Sequence, residues 1–470
     1  MACAIESHRS TLRLATLGFL TGFVGFLGTL YWVVPTMKTY GGLPAWVAAG
    51  VGVLMSAYLA IYPALFGVLL GWAVRRFGAG GVWLAPWLWV ATEWLRANTL
   101  LQFPWALLGS SQASVLPVAQ LASVGGVYGL SALVALVSTA AATLALGQRR
   151  VDRIAAVGVG MVLLAVVGLG MVRLNASTLT TAGRPLRVGL IQGNIDQDSK
   201  WDARYRDVIV NRYLALSRQA LSDGAQLVIW PESSTPFYFD AESVMAAPIR
   251  RLAAETNTPF LVGTDELVPA RNGSPDRYYN AASLLGGDGR TRATYRKMML
   301  VPFGEYVPMK RLLFFVGPLV EAVSDFTAGV DPLVFDSDGR RFSVAICYEA
   351  VSPGISRAFV RGGSQLLATI TNDAWFGRTS AGYQHFEQAG LRAIEEGRYV
   401  VRAANTGISG AIDPYGRVIE KTELFVPLAL TVDVRLLDER TIYSRVGDVV
   451  AWAGVVLAAF VAVTAGRRRR

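Results

Sequence analysis

The sequence contains few charged residues. Only 17% of its 470 residues are Asp, Glu, Lys or Arg, whereas a soluble globular domain carries roughly 25%. Hydrophobic residues make up 53% of the chain, and the mean hydropathy is +0.39. This shortage of charge indicates that part of the chain is dissolved in lipid. The length permits two or more domains.

Cysteine and histidine are also scarce. Cys3 lies at the extreme N-terminus and Cys347 lies in a strand pattern, so a disulfide framework is not expected. Histidine occurs only as His8 and His385, which argues against a multi-histidine metal site and a Ser–His–Asp triad. We interpret His385, on an amphipathic helical pattern, as a structural histidine, although a lone histidine could still act as a base.

Positive charge is concentrated between apolar segments. The formal net charge is +10, and the arginine clusters are Arg75-Arg76, Arg149-Arg150 with Arg153, and Arg467 to Arg470. Arginines on one side of a series of spans follow the positive-inside rule. Because no Lys/Arg stripe with interleaved aromatics occurs, we expect no binding to nucleic acid.

Six apolar segments approach the length of about 20 residues that a membrane span needs. They are Leu12–Val34, Leu43–Val74, Gly81–Leu95, Val118–Leu146, Ile154–Val172 and Val449–Ala465. The second could be one tilted helix or two short ones, with Pro63 as a possible kink. Buried helices of a large soluble protein are the disfavoured alternative, since Val118–Leu146 and Val449–Ala465 contain no charged residue.

The arginine clusters also predict an orientation. With the N-terminus in the cytoplasm, six crossings place every cluster on the cytoplasmic side and residues 175–447 on the outer side. We therefore predict N-terminal transmembrane helices over 1–174, an extracytoplasmic domain over 175–447, and a last span with a cytoplasmic tail over 448–470. A cleaved signal peptide is not indicated. The apolar loop Asn98–Pro117 would lie in the lipid interface or form a re-entrant connection packed against neighbouring helices.

Between the fifth and sixth segments, β-branched runs alternate with amphipathic stretches, which predicts a layered α/β domain. The predicted strands are Leu186–Gln192, Gln226–Trp230, Pro259–Gly263, Ala281–Leu285, Phe342–Cys347, Gln365–Thr371, Tyr399–Ala403 and Leu428–Val434. The predicted helices are Asp202–Leu221, Ala241–Glu255 and Tyr383–Glu395.

Three segments place reactive groups at the ends of apolar runs. The first ends in Trp-Pro-Glu at Glu232, the second contains Lys297 followed by Val-Pro-Phe-Gly-Glu ending at Glu305, and the third is Cys-Tyr-Glu from Cys347 to Glu349. Sheet-based active sites are commonly built at such positions. If the third strand continues, Glu349 would share the face of Cys347.

Together these motifs resemble the carbon–nitrogen hydrolase (nitrilase) superfamily, and the flanking apolar segments resemble its membrane branch, the apolipoprotein N-acyltransferases. The resemblance implies a multi-pass helical membrane domain joined to a four-layer αββα sandwich. It implies Cys347 as nucleophile, Glu232 as general base and Lys297 as a positive charge beside the oxyanion. It further implies that Glu305 and Glu349 are supporting carboxylates. The residues it implies for an acyl pocket are Trp201, Tyr348, Asn372 and Trp375.

A thioester on Cys347 could be resolved by water or by an amine. The resemblance implies two-step transfer, in the bacterial inner membrane, from a phosphatidylethanolamine-type phospholipid to the α-amine of a diacylglyceryl-cysteine at an apolipoprotein N-terminus. No metal or organic cofactor is expected, because the ester already carries the activation. A membrane-anchored amidase and a non-catalytic transporter or scaffold are the alternatives. Members of the family show about two more spans ahead of the segment that begins at Gly22.

Overall fold

The computed structural model describes residues 10–99, 101–146, 149–270, 276–306 and 326–466. The chain divides into a helical unit, Met1–Ala176 with Thr441–Arg470, and an α/β unit, Ser177–Arg440. Several residues used in the predictions lie outside the described residues: Cys3, His8, Arg9 and Arg467 to Arg470.

Nine α-helices lie in the described part of the helical unit. They are α1 (Thr11–Thr29), α2 (Val33–Thr39), α3 (Ala45–Phe77), α4 (Ala85–Asn98), α5 (Leu116–Ala119), α6 (Ala122–Leu146), α7 (Arg150–Ala176), α13 (Ile442–Val446) and α14 (Val449–Gly466). All six predicted apolar segments fall on helical regions. The third falls on α4 and the 3₁₀ helix Gly78–Leu84 that joins it to α3.

Four stretches of the described chain are long and apolar enough to cross a membrane. They are Thr11–Thr29, Ala45–Asn98, Ala122–Leu146 and Arg150–Thr180, and Val449–Ala465 is a shorter apolar helix. Helix α3 is a single helix of 33 residues, about 50 Å long at about 1.5 Å per residue. It therefore does not split into two spans at Pro63. The number of six crossings stays a prediction.

Small residues let α1 approach α3 closely at Pro63. A Cβ atom on Gly18 would lie 2.2 Å from the carbonyl oxygen of Pro63, and one on Gly22 would lie 2.7 Å from its Cγ. Glycines at such a spacing are a common way to bring two apolar helices together in lipid.

The apolar loop after α4 packs inward. Phe103, Trp105 and Leu107 are buried, and the Trp105 ring lies 5.2 Å from that of Trp32. Arg96 donates to the carbonyl oxygens of Phe103 (3.2 Å) and Trp105 (2.7 Å). The packed connection is observed for these side chains, and the position of the loop in the lipid interface stays a prediction.

The described part of the α/β unit contains two six-stranded sheets. The first has the order β12-β1-β2-β3-β4-β5 and the second β11-β10-β9-β8-β7-β6. The strands are β1 (Arg184–Gln192), β2 (Leu227–Ile229), β3 (Phe260–Val268), β4 (Arg277–Leu285), β5 (Thr291–Arg296), β6 (Phe335–Ser337), β7 (Arg340–Ile346), β8 (Leu366–Thr371), β9 (Val400–Ala404), β10 (Gly410–Ile412), β11 (Val418–Lys421) and β12 (Leu428–Leu436). The pairs β1–β2, β2–β3, β7–β8 and β8–β9 are parallel.

Helices cover the outer face of each sheet. The helices of this unit are α8 (Gln197–Lys200), α9 (Arg206–Ser222), α10 (Ser243–Thr256), α11 (Pro353–Arg361) and α12 (Ser380–Glu396). Apolar side chains of α9 and α10, such as Tyr213 and Ile249, join the core cluster that contains Trp230 and Phe260 of the first sheet. Helix α11 packs on β7, and α12 packs on β9 and α11. The predicted fold class, helices around two stacked sheets beside an apolar helical region, is confirmed.

Candidate active site

Four strand ends of the α/β unit converge on one buried site. Glu232 follows β2 and Lys297 follows β5 in the first sheet, whereas Cys347 follows β7 and Asn372 follows β8 in the second. The site therefore lies between the sheets. Apolar strands bring the polar groups into the interior, and the turns that follow each strand direct the side chains toward one another.

The Glu232 carboxylate is buried and fully hydrogen-bonded. Its Oε1 accepts from Asn280 Nδ2 at 2.7 Å and lies 3.4 Å from Lys297 Nζ, while Oε2 accepts from the Asn372 backbone N–H at 2.8 Å. Burial alone would raise the pKa of Glu232, but Lys297, the Asn280 hydrogen bond and nearby Lys200 together hold it below its usual range. Glu232 is therefore ionised at neutral pH and able to take a proton.

Lys297 lies between two carboxylates. Its Nζ donates to Glu305 Oε1 at 2.7 Å, and its side chain is 1% exposed. Burial would lower the pKa of Lys297, yet Glu305 and Glu232 raise it above its ordinary value, so the ammonium stays charged. Glu305 is held in turn by the Val301 N–H at 2.8 Å and by Asn280 Nδ2 at 3.0 Å.

Cys347 begins a tight turn with a backbone conformation unusual for its type. Its φ angle is +50°, in the left-handed region that non-glycine residues adopt at a cost of about 1–3 kcal/mol and mainly at functional sites. Burial, and then the charge of Glu232, raise the pKa of the Cys347 thiol, against the opposing effect of Lys297. Cys347 is thus a thiol at rest, and Glu232 is the ionised carboxylate whose charge acts on it.

Glu349 holds the backbone around the site and does not share a strand face with Cys347. Strand β7 ends at Ile346, and Cys347–Val351 forms a 3₁₀ helix, so the prediction of a shared face is wrong. Glu349 Oε2 accepts from the Ile346 N–H at 2.7 Å, and Oε1 accepts from Tyr295 Oη at 2.8 Å and the Met298 N–H at 2.6 Å. Burial raises the pKa of Glu349 to about 7, although these donors oppose the shift. Glu349 therefore ties the turn of Cys347 to the segment after Lys297.

The four predicted pocket residues have different surroundings. Trp201 and Trp375 are 47% and 36% exposed, whereas Tyr348 is buried. Asn372 is also buried, and its side chain donates to Gln197 Oε1 at 2.7 Å and accepts from Asn405 Nδ2 at 3.0 Å. The Asn372 amide is therefore committed to the framework, while the two tryptophans are accessible.

Three polar residues at the site were missed from the sequence or taken as structural. Asn280, on β4, bridges Glu232 and Glu305. Lys200, at the end of α8, is buried, and the charges of Asp265 and Glu232 act on it. His385 contacts the carbonyl oxygen of Cys347. A polar side chain at the edge of an apolar strand pattern was the available signal for Asn280.

The arrangement suits covalent acyl chemistry. An ionised carboxylate, a fixed ammonium and a partly exposed thiol are groups that can serve as a base, an electrostatic partner for a developing oxyanion and a nucleophile. Among the described residues, no group of three or more His, Cys, Asp or Glu side chains could hold a metal ion.

Two sheets carrying such a site define the carbon–nitrogen hydrolase class. Residues 187–440 match the carbon–nitrogen hydrolase family, and residues 1–140 match the N-terminal domain of apolipoprotein N-acyltransferase. The chain is 42% identical to the apolipoprotein N-acyltransferase of Geobacter metallireducens, an alignment that covers all of this chain and 89% of the relative. It is 36% identical to that of Methylococcus capsulatus, with 98% and 89% coverage. The chain belongs to the apolipoprotein N-acyltransferase family.

Solved structures are similar to about half of the chain. An amidase of the nitrilase superfamily from Nesterenkonia AN1 is 21% identical, with a TM-score of 0.40, and the match covers 55% of this chain and 93% of that one. A carbon–nitrogen hydrolase from Helicobacter pylori G27 is 15% identical, with a TM-score of 0.42, and covers 54% and 90%.

Proposed function

We propose that this protein transfers an acyl chain from a phosphatidylethanolamine-type phospholipid to the α-amine of the diacylglyceryl-cysteine of an apolipoprotein. The observation that carries the proposal is the cluster of the buried Glu232 and Lys297 with the partly exposed Cys347, in a chain whose relatives are named apolipoprotein N-acyltransferases. Cys347 is the acyl carrier between the two half-reactions.

In the first half-reaction, Glu232 takes the thiol proton of Cys347 and Sγ attacks the ester carbonyl of the donor. The negative charge that develops on the carbonyl oxygen is stabilised by the ammonium of Lys297. The C–O bond then breaks, and the leaving alcohol of the lysophospholipid receives the proton from Glu232. The product is a thioester on Cys347, with Glu232 ionised again.

In the second half-reaction, the lipopeptide amine attacks the thioester carbonyl. Glu232 takes a proton from the amine, the C–S bond breaks, and the proton returns to the sulfur of Cys347. An amide is formed and the free thiol is restored. Glu305 keeps Lys297 in place through both steps, because its carboxylate holds Nζ at 2.7 Å.

We assign contact with the acyl chain to Trp201 and Trp375, because large aromatic side chains that remain accessible provide apolar surface at low entropic cost. Tyr348 and Asn372 form the wall of the same pocket, and Asn372 also donates its backbone N–H to Glu232. Glu305 and Glu349 support the three reacting residues.

We further propose that the protein resides in the bacterial cytoplasmic membrane. Residues 1–174 and 448–470 form the spans, residues 175–447 face the outer side, and both termini lie in the cytoplasm. Donor and acceptor would then both be held in the outer leaflet. The spans would keep the α/β unit at the membrane surface where both substrates lie.

The acyl acceptor separates this function from an amidase. Purified protein with labelled phospholipid should transfer label to a diacylated lipopeptide amine faster than it releases labelled fatty acid to water. Cys347→Ala should abolish transfer, and Cys3→Ala, which removes the other cysteine of the sequence, should retain it. Label released mainly to water would favour the amidase, and wild-type transfer by Cys347→Ala would refute the proposal.

A further inference from the structure

His385 lies directly behind the nucleophile. It is fully buried on α12, and its Nε2 lies 3.0 Å from the backbone carbonyl oxygen of Cys347. On the other side, its Nδ1 lies 3.0 Å from Arg402 Nη2 and 3.1 Å from Asp373 Oδ1. The imidazole therefore connects the backbone of Cys347 to a buried ion pair.

The partners determine which ring nitrogen carries the proton. A carbonyl oxygen only accepts, so Nε2 must donate to Cys347. Nδ1 lies between a donor, Arg402 Nη2, and an acceptor, Asp373 Oδ1. Asp373 is neutralised by Arg402 at 2.7 Å and receives the Thr371 hydroxyl at 2.8 Å. Burial and Arg402 lower the pKa of His385, so the ring is neutral and its Nε2–H points at Cys347.

The carbonyl that His385 binds belongs to the strained residue itself. The backbone on both sides of Cys347 is held by side chains, since Glu349 accepts the N–H of the preceding residue, Ile346, and His385 donates to the Cys347 C=O. A φ of +50° persists only where the surroundings fix it. The same β8 turn that contributes Asp373 also contributes the Asn372 N–H to Glu232, so one turn is connected to both the base and the nucleophile.

We propose that His385 is a positioning residue, whose Nε2–H holds the Cys347 carbonyl and thereby fixes the left-handed backbone that aims Sγ at the donor ester. His385 neither receives the thiol proton nor touches substrate. This role rests on the proposed function, because it presupposes that Cys347 is the acylated nucleophile.

The test compares two substitutions of His385 in the full-length protein. His385→Phe keeps an aromatic ring but removes the donor, whereas His385→Gln places an amide N–H near the position of Nε2 and cannot titrate. We expect His385→Phe to slow acylation of Cys347 by labelled phosphatidylethanolamine about 10²-fold, the usual cost of a misplaced reacting group. The KM for the phospholipid should change less than about threefold, because His385 does not contact the substrate and its loss leaves substrate binding unchanged.

His385→Gln should recover acylation to within about tenfold of wild type, the effect of regaining one buried hydrogen bond. Gln388→Met is the matched control, since Gln388 is buried on the same helix and donates to Gln384 instead of Cys347. It should acylate at the wild-type rate. The midpoint of thermal unfolding shows that each variant is folded.

Two results would overturn the role of His385. Wild-type acylation by folded His385→Phe would show that the Cys347 carbonyl needs no donor. Equal loss in folded His385→Gln and His385→Phe would show that a titrating imidazole, and not a hydrogen bond, is required. Absence of any adduct on wild-type Cys347 would instead refute the proposed function, so the two failures are distinguishable.

Discussion

Glu232 is ionised because of its neighbours. Two of the groups around its carboxylate are cationic, Lys297 and Lys200, and two are N–H donors, from Asn280 and Asn372. A carboxylate deprived of water would otherwise become neutral. The thiol of Cys347 differs from Glu232 in its protonation state, since burial raises the pKa of the thiol and favours its protonated form. Proton transfer between these two residues is the first step of the proposed reaction.

Removing the base should stop acylation while leaving the fold intact. Glu232→Gln keeps the volume of the side chain but cannot accept the thiol proton, so the rate of acyl-adduct formation should fall by at least about 10²-fold. Rapid-quench measurement of the adduct tests this. Glu255→Gln, at an exposed helical position, should leave the rate unchanged, and an unaffected Glu232→Gln would show that another group takes the proton.

Lys200 should set the acid limit of the reaction. The charge of Lys200 helps to lower the pKa of Glu232, and the groups that act on Lys200 are Asp265 and Glu232. Glu232 must be ionised to act, so activity falls as pH drops through its pKa. Lys200→Met raises that pKa, and the acid limb of the rate profile should move to higher pH.

The pH dependence of Cys347 acylation measures this shift. Lys200→Arg, which keeps the positive charge, should show the wild-type limb. An identical limb in Lys200→Met and wild type would show that the charge of Lys200 has no effect on the base.

The motifs predicted the positions of Glu232, Lys297 and Cys347 at strand ends, because each follows a recognisable apolar run. Other contacts join residues distant in sequence. Asn280 lies 48 residues from Glu232, and His385 lies 38 residues from Cys347. Sequence periodicity reports one helix or strand at a time, so it indicated an amphipathic helix around His385 and gave no sign of its partner.

At the scale of elements, strands with a β-branched apolar run were predictable, and exposed or very short strands were not. The eight predicted strands all fall on observed strands, since buried β-branched runs have few alternatives. Strands β5, β6, β10 and β11 were missed. Strand β5 is only partly buried and β11 is fully exposed, while β6 and β10 are three-residue strands without a run of β-branched residues. The failure to predict β5 matters for the site, because Lys297 follows this strand directly. Strand β7 ends at Ile346, one residue before the predicted end, because a 3₁₀ helix begins at Cys347.

The contact between α1 and α3 should tolerate no side chain at Gly18. Gly18→Val would place a Cβ atom 2.2 Å from the Pro63 carbonyl oxygen, and relief of such overpacking typically costs about 1–3 kcal/mol. The thermal unfolding midpoint in detergent should therefore fall. Gly28→Val on the same helix, where a Cβ atom would meet no neighbouring atom within 4 Å, should have little effect, and equal midpoints for both variants would contradict this packing.

At the scale of the whole molecule, the arginine clusters predict which side of the membrane each unit occupies. In a Cys3→Ala, Cys347→Ala background, Glu255→Cys should react with a membrane-impermeant maleimide in intact spheroplasts. Arg76→Cys, at the end of α3, should react only after lysis, because the proposed orientation places it on the cytoplasmic side. Labelling of both sites from the same side would contradict the proposed orientation.

The central claim is that Cys347 carries the acyl group, and mass spectrometry of the purified protein tests it most directly. After incubation with a phosphatidylethanolamine of defined chains, the peptide containing Cys347 should gain the mass of one acyl chain. Addition of a diacylated lipopeptide should remove that mass and add it to the lipopeptide amine. Transfer that proceeds at the wild-type rate in Cys347→Ala, or without any adduct on Cys347, would contradict the account.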